Sequence, residues 1–175
     1  MMLNRNLYAW ASLGENGKAK GGKPGNQNGR ELKIAPWYDF GQTNTIRFKS
    51  TSRGRKCAKI MKTLCQSKKI GYAMDTRFML YDVCKKYEWN WKKIEKMIKN
   101  ETFPLVNTDC SSLVSVAVNL SYGKIKLGRY TTTGSIIDEC RRQDKHFIIL
   151  ETGHPKKTHK GDMEVKKYKH VIMNV

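Results

Sequence analysis

The sequence lacks the features that would place the chain in a membrane or in a disulfide-bonded class. It has no run approaching the ~18 apolar residues that a membrane span needs, and residues 1–10 lack the apolar core of a signal peptide. Its five cysteines include no CxxC pair and no spacing typical of zinc ligands, and their odd number leaves at least one thiol free. We therefore expect a protein that is made in the cytoplasm without a signal peptide and that uses no metal and no cofactor.

Acidic residues are also scarce. Fifteen Asp and Glu stand against 34 Lys and Arg, which gives a net charge of +19 spread along the chain. Such a charge favours an anionic partner: nucleic acid, a membrane surface, or a phosphate-bearing polymer such as a bacterial cell wall. Charge alone does not distinguish these partners. The length of 175 residues predicts one domain that buries a substantial core.

A glycine-rich stretch at residues 14–31 contains six glycines and one proline, which exclude regular structure. A flexible linker would have a similar composition. However, this stretch runs directly into an aromatic segment, Trp37, Tyr38 and Phe40, which is too apolar to stay solvated. We favour an ordered loop packed over a site. The spacing GxxxxGK[ST] of a phosphate-binding loop is absent.

The order of predicted elements is helices first and strands later. Residues 45–49 alternate like a strand, and three amphipathic helices follow, opened by a capping cluster at residues 50–52, by Asp75 and by Asn90. Residues 70–72 end the first of these helices. A further helix comes next. It is followed by a short helix with a capping box at Ser135, by a buried strand at residues 147–150 and by a terminal hairpin. This order predicts an α+β fold.

That further helix occupies the stretch around which the chain is organised, residues 107–120. A polar turn becomes an apolar helix, so Cys110 is expected on the first turn with Asp109 as its cap. Free N–H groups and the helix dipole favour the thiolate there, and the thiolate is the nucleophilic form. A buried and inert cysteine fits the same pattern.

Four histidines are candidate bases for Cys110: His146, His154, His159 and His170. His154 and His159 lie in a lysine-rich turn and are expected to be exposed, whereas His146 precedes a strand. Only His170 opens a hydrophobic strand, where a rigid backbone can aim an imidazole. A half-exposed histidine without a catalytic role is equally compatible with that position.

Several motifs resemble a known family. They are TDCSSLV at residues 108–114, KGDM at 160–163 and HVIM at 170–173. Together they resemble the D-C-S-[GS]-[LF]-V, G-D-[IL] and H-V signature of NlpC/P60 cysteine peptidases. The stretches ENGKA at 15–19, GGKPGNQNGRE at 21–31, PWY at 36–38 and IGY at 70–72 resemble phage-encoded lysins of this family. The resemblance spans about residues 12–175.

The resemblance implies a papain-like α+β fold, with helices packed on a small antiparallel sheet. It implies a peptidoglycan hydrolase that cleaves stem-peptide amide bonds, as an endopeptidase or an amidase, with Cys110 as nucleophile and His170 as base. Tyr72, Asp109 and Ser111 are implied as oxyanion or substrate contacts. The expected domain covers residues 1–175, with a loop extension at 12–40 and a catalytic region at 105–175.

One part of the family pattern is missing. Members usually carry a third polar residue on the strand after the histidine strand, but this chain ends at Val175. Asn174 lies ~13 Å along the strand from His170, at ~3.3 Å per residue, and is too distant to help. The orienting group is then expected from the loop, where Glu15, Asn26 and Gln27 are candidates, or from a backbone carbonyl. A shortened and weakened enzyme is the remaining explanation.

The expected partner is bacterial peptidoglycan, after release of the protein to the wall, with anionic wall polymers held by the positive charge. Two rival functions stay open. A basic nucleic-acid-binding protein fits the charge, although no nucleic-acid-binding motif is present and Cys110 would have no role. A catalytically silent relative that only binds the wall fits the missing third residue.

Overall fold

The structure is a computed structural model that describes residues 6–28, 30–151 and 153–175. Its helices and strands confirm the predicted α+β class. The strands are β1 (Leu7–Ala11), β2 (Leu32–Pro36), β3 (Asn44–Phe48), β4 (Ile70–Tyr72), β5 (Val106–Thr108), β6 (Phe147–Leu150), β7 (Met163–Lys166) and β8 (His170–Asn174). The helices are α1 (Thr51–Gln66), α2 (Met79–Lys86), α3 (Trp91–Lys99), α4 (Cys110–Tyr122) and α5 (Ile136–Arg141).

Six strands form one antiparallel sheet in the order β2-β1-β8-β7-β3-β6. The predicted terminal hairpin is confirmed, because β7 pairs with β8 and Lys166 lies opposite His170. On its other side β8 pairs with β1, with Ala9 opposite Met173. The strand beside the histidine strand therefore comes from the beginning of the chain.

The sheet has two differently packed faces. Ala9, Ile46, Val165 and Met173 are fully buried in the main core, on the side of the helices. Side chains alternate along each strand, so the opposite face carries a second small cluster of Tyr8, Trp10 and Ile172. Partly buried Trp37 and Phe40 cover that cluster. The aromatic segment after the glycine-rich stretch thus packs on the outer face of the sheet and covers it.

Helix α4 lies at the centre of the main core. Residues 111–121 are all buried, which agrees with an apolar helix that packs on several neighbours. Asp109 is its cap, as predicted, and Ser50 and Asn90 cap α1 and α3. None of the helices in the described ranges combines the length and apolarity needed to cross a bilayer.

Strands β4 and β5 form a separate parallel pair, with Tyr72 opposite Thr108. The prediction that residues 70–72 merely end a helix was wrong. Three residues are too few to show the two-residue alternation by which strands are recognised. Gly71 makes the pair possible, because a Cβ there would lie 2.7 Å from Asn107 Oδ1.

The glycine-rich stretch is an ordered loop packed against this pair. The Met74 amide donates to the Ala19 carbonyl over 2.8 Å, and the Gly25 amide donates to the Val106 carbonyl over 3.0 Å. A Cβ at Gly22 would overlap the carbonyl oxygen of Tyr72. Gly29 lies outside the described residues. The expected order of the loop is therefore confirmed for the part that the structure describes, but its expected position over a site is not, because no described residue of 14–31 lines the cavity in front of Cys110.

Two predicted helix caps and one predicted strand environment were wrong. Asp75 accepts from the Gly21 amide in the loop, and α2 begins after Phe78 with no side-chain cap. Ser135 donates to Glu139 across 2.7 Å instead of capping α5. Strand β6 is an edge strand on which only Phe147 is buried, because no further strand covers it. The domain limits of residues 1–175, which include undescribed residues 1–5, remain a prediction.

Candidate active site

Cys110 is the first residue of the central helix and follows β5 after a single residue. That residue, Asp109, fixes the turn: its Oδ1 accepts from the Ser112 amide at 2.7 Å and from Ser111 Oγ at 3.0 Å. The cap leaves the other oxygen, Oδ2, free to bind elsewhere. Cys110 is a partly buried residue with a free thiol, whereas Cys57, Cys65, Cys84 and Cys140 are buried free cysteines.

A cavity of about 320 Å³ opens in front of Cys110. Four predicted site residues line it together: Tyr72, Asp109, Cys110 and Ser111. Burial raises the pKa of the Tyr72 phenol, with further contributions from Cys110 and Asp109, so its hydroxyl is protonated beside the thiol. The remaining lining comes from Met74, Arg77, Thr132, Thr133, Gly134, Tyr168 and Lys169.

Arg77 is a site residue that sequence reasoning missed. Its Nη1 donates to Asp109 Oδ2 at 2.6 Å and its Nη2 donates to the Thr131 carbonyl at 2.7 Å. The pair is well shielded, with side-chain exposures of 13% for Arg77 and 4% for Asp109. Arg77 thereby links Asp109 to Thr131, which directly precedes the cavity-lining residues 132–134. No local signal distinguishes it from the other 33 basic residues, since the chain has 34 in all.

The electrostatics of Cys110 differ from the expectation of a primed thiolate. The pKa of the Cys110 thiol is raised to about 12, mainly by burial and secondarily by the Asp109 carboxylate. Backbone N–H groups of Val171 and Ser111 and the Arg77 guanidinium act in the opposite direction, but more weakly. The resting thiol is therefore protonated, and a base must remove its proton before it can attack a substrate.

His170 lies next to the residue that contacts Cys110. It is the first residue of β8, and the backbone N–H of the following Val171 faces the Cys110 sulfur. The His170 ring itself packs edge-on against Phe40, with ring centroids 5.9 Å apart. Burial lowers the pKa of His170 to about 4, so the imidazole is neutral near pH 7. A neutral imidazole has a free lone pair that can accept a proton.

The hydrogen bonds of the described residues include none between the predicted partners Cys110 and His170. Within the described ranges, no hydrogen bond joins the His170 ring to Cys110 or to another side chain. His170 lines a neighbouring hollow of about 400 Å³ together with Ser12, Tyr38 and Phe40, and Lys169 borders both hollows. The catalytic assignment of the two residues therefore remains a prediction.

The loop candidates for a third polar residue are engaged elsewhere. Glu15 Oε1 accepts from the Lys23 amide at 2.9 Å, which lowers the pKa of its carboxyl. Gln27 Nε2 donates to the carbonyls of Ser67 and Ile70, and Asn26 contributes slightly to the lowered pKa of Glu15. These contacts fasten the loop to β4. Ser12, directly after β1, is one of the polar side chains that share the hollow of His170, together with Tyr38, Lys166 and Lys169.

The other histidines do not approach Cys110. His154 is exposed, as expected, but its Nδ1 is bonded to the buried Glu164 at 2.7 Å on the outer face of the sheet. His159 is half-buried rather than exposed, and His146 lies 2.6 Å from Lys126 Nζ. In the part of the chain that the structure describes, no three His, Cys, Asp or Glu side chains cluster as a metal site.

Comparison with known proteins identifies the family. Residues 9–175 match the family described as "Endolysin-like domain". The chain belongs to the endolysin-like domain family. It matches no curated protein and no solved structure. Membership among endolysin-like domains indicates a phage-type hydrolase that acts on the bacterial cell wall, which confirms the predicted lysin character of the chain.

Proposed function

We propose that this endolysin-like domain hydrolyses amide bonds of peptidoglycan stem peptides with Cys110 as nucleophile, as NlpC/P60 peptidases do. The observation that carries the proposal is the position of Cys110. It is the one cysteine of five that is not fully buried, it begins the central helix, and it lines an open cavity beside polar groups. An inert core cysteine would not require that opening.

In the proposed reaction, the thiol proton of Cys110 passes to His170 Nδ1 or Nε2 as the sulfur attacks the amide carbonyl. A C–S bond forms, and the carbonyl electrons move to oxygen, where the Cys110 backbone N–H donates to the oxyanion. Collapse breaks the C–N bond, and the proton passes from His170 to the leaving amine. Water then hydrolyses the thioester, which releases the carboxylate product and restores the thiol.

The neutral state of His170 supports its role as the base. Because burial lowers its pKa to about 4, one ring nitrogen is unprotonated near pH 7 and can accept a proton. The high pKa of Cys110 means that the resting thiol is protonated and that a base must take its proton during the reaction. Phe40, which packs on the ring, and Ser12, which lines the same hollow, are the groups available to orient it.

The charge of the chain supports a second element of the proposal, electrostatic retention on the wall. A net charge of +19 would hold the domain on anionic polymers such as teichoic phosphates. Binding to purified walls should fall steeply as salt rises, because mobile ions screen exposed charges. A pelleting assay in which the bound fraction is equal at low and high salt would rule this out.

The decisive experiment for the function is turnover of purified peptidoglycan, with mass spectrometry of the released fragments. Wild type should release stem-peptide fragments with new amino and carboxyl ends, and Cys110→Ala should release none. Cys65→Ala is the matched control, since Cys65 is a buried thiol on α1. Equal release by Cys110→Ala and Cys65→Ala would reject the mechanism. Wall binding without release by wild type would favour the catalytically silent relative, and binding to nucleic acid alone would favour the other rival.

A further inference from the structure

A second polar site lies on the outer face of the sheet, away from Cys110. It consists of Tyr8, Trp37, His154, Glu164 and Asn174, which we call the Glu164 cluster. The hollow beside it is lined by Asn6, Tyr8, Pro36, Trp37 and His154, and has a volume of about 420 Å³. None of these residues lines the cavity of Cys110, and the proposed hydrolysis uses none of them.

The centre of the cluster is a fully buried carboxylate. Glu164 on β7 has an exposure of 0%, and both of its oxygens are occupied. Oε1 pairs with His154 Nδ1 at 2.7 Å, and Oε2 accepts from Trp37 Nε1 at 2.9 Å. Burying a carboxylate is unfavourable even when it is paired, so an apolar residue would cover the sheet with less loss of stability. The carboxylate instead fixes two ring side chains at the wall of the hollow.

The orientation of His154 follows from this contact. A carboxylate only accepts, so Nδ1 carries the hydrogen and Nε2 is left for a ligand. The ring centroid of His154 lies 4.3 Å from that of Trp37, and the His154 side chain remains 33% exposed. The segment that carries His154 is also held to the sheet, since Thr45 Oγ1 donates to the Gly153 carbonyl at 3.1 Å.

A buried hydroxyl of the same cluster lacks a partner. Tyr8 borders the hollow, and its Oη lies near Asn174 and Glu164 without satisfactory hydrogen-bond geometry to any described residue. The Asn174 Nδ2 group is likewise buried without a partner in the described ranges. Burial raises the pKa of Tyr8, so its hydroxyl stays protonated and can donate. An unsatisfied buried polar group destabilises the fold, and a ligand that forms a hydrogen bond with it would remove that loss.

We propose that the Glu164 cluster binds a saccharide, namely an N-acetylhexosamine unit of the wall glycan. The apolar face of a sugar ring packs on an aromatic ring such as that of Trp37. A sugar hydroxyl both donates and accepts, so it pairs with His154 Nε2 in either protonation state, whereas a phosphate would require the cation. The glycan as the source rests on the proposed action on peptidoglycan. The cluster would hold the glycan while Cys110 cuts the peptide.

The test uses the full chain carrying Cys110→Ala, which prevents turnover, and a tetramer of N-acetylglucosamine as the probe. Isothermal titration should give saturable binding that does not weaken with salt. His154→Gln in this background should weaken the affinity by about tenfold, the equivalent of one lost hydrogen bond. His159→Gln is the matched control from the same segment and should leave the affinity unchanged. Trp37→Phe provides a second variant, and thermal melting confirms that each variant is folded.

Several outcomes would overturn the proposal. They are the absence of saturable binding, equal affinities of the His154 and His159 variants, and tighter, salt-sensitive binding of glycerol phosphate, which would identify an anion site. A separate measurement, the turnover of sugar-free stem peptides by wild type, distinguishes failure of the saccharide site from failure of the proposed function. Peptide turnover without tetramer binding rejects only the saccharide site. Tetramer binding without peptide turnover upholds the site and rejects the hydrolase mechanism.

Discussion

The pair formed by Arg77 and Asp109 is expected to hold the Cys110 turn in place. One oxygen of Asp109 caps α4, and the other accepts from Arg77 Nη1 at 2.6 Å. Replacing Arg77 by Met removes the cation and keeps the bulk of the side chain. The Asp109 carboxylate, which is 4% exposed, would then be left without its counter-charge.

Breaking a buried ion pair by removing one partner costs about 3–5 kcal/mol. We expect about 3 kcal/mol for Arg77→Met, because the Ser112 amide and Ser111 Oγ still donate to Asp109. For a chain of this size, this loss lowers Tm by about 6–12 °C. Asp109→Asn keeps a capping oxygen and should cost less, about 1–2 kcal/mol, because Arg77 is more exposed than Asp109.

Urea unfolding of the wild type, the two single variants and the double variant measures this directly. In the Asp109→Asn background, Arg77→Met should cost under about 1 kcal/mol, which leaves a coupling energy of about 2 kcal/mol. Additive effects within about 0.5 kcal/mol would show that the two side chains do not stabilise each other. The assigned role of Arg77 would then be wrong.

Three further predictions follow from the site and the loop beneath it. Burial lowers the pKa of His170 from 6.5 to about 4, so between these two pH values the unfolded chain binds more protons than the folded one. The free energy of unfolding should therefore fall as the pH drops from 6.5 to about 4. In urea unfolding, the free energy of unfolding of His170→Gln should fall by about 3 kcal/mol less than that of the wild type over this pH range. An equal pH dependence of the two proteins would contradict the burial of the ring. Cys110 should react with iodoacetamide first among the five thiols, because the other four are buried. Because its pKa is about 12, it should still react more slowly than free cysteine at pH 8, which peptide mass spectrometry measures. Faster reaction than free cysteine would indicate a thiolate at rest. Gly71→Ala should lose about 1–3 kcal/mol, because its Cβ would lie 2.9 Å from the Lys23 carbonyl oxygen. The control Gly128→Ala, with only Thr131 Oγ1 near at 3.8 Å, should be close to neutral in thermal melting.

The parts of the fold that the sequence predicted are those with strong local signals. Helix α4 was recognisable because Asp109 caps an apolar run, and the terminal hairpin because β7 and β8 are adjacent in sequence. The pairing of β4 with β5 was missed because each strand has three residues. The placement of β1 beside β8 joins opposite ends of the chain, which no local pattern encodes.

The candidate site was predicted only in part, for a related reason. Tyr72, Asp109, Cys110 and Ser111 do line one cavity, since they flank the same strand pair and helix start. Arg77 approaches them through tertiary packing, and its type is common in this chain. The raised pKa of Cys110 arises from desolvation, which depends on the whole fold, whereas the helix start seen in the sequence indicates only the opposing contribution.

The central claim, that Cys110 is the nucleophile, is tested most directly by acid-quenching the enzyme during turnover of stem peptides and measuring its intact mass. We predict a transient mass increase equal to the acyl part of the substrate, located on Cys110 by peptide mapping and absent from Cys110→Ala. Steady turnover with no adduct at Cys110, and with full activity in Cys110→Ala, would contradict the account.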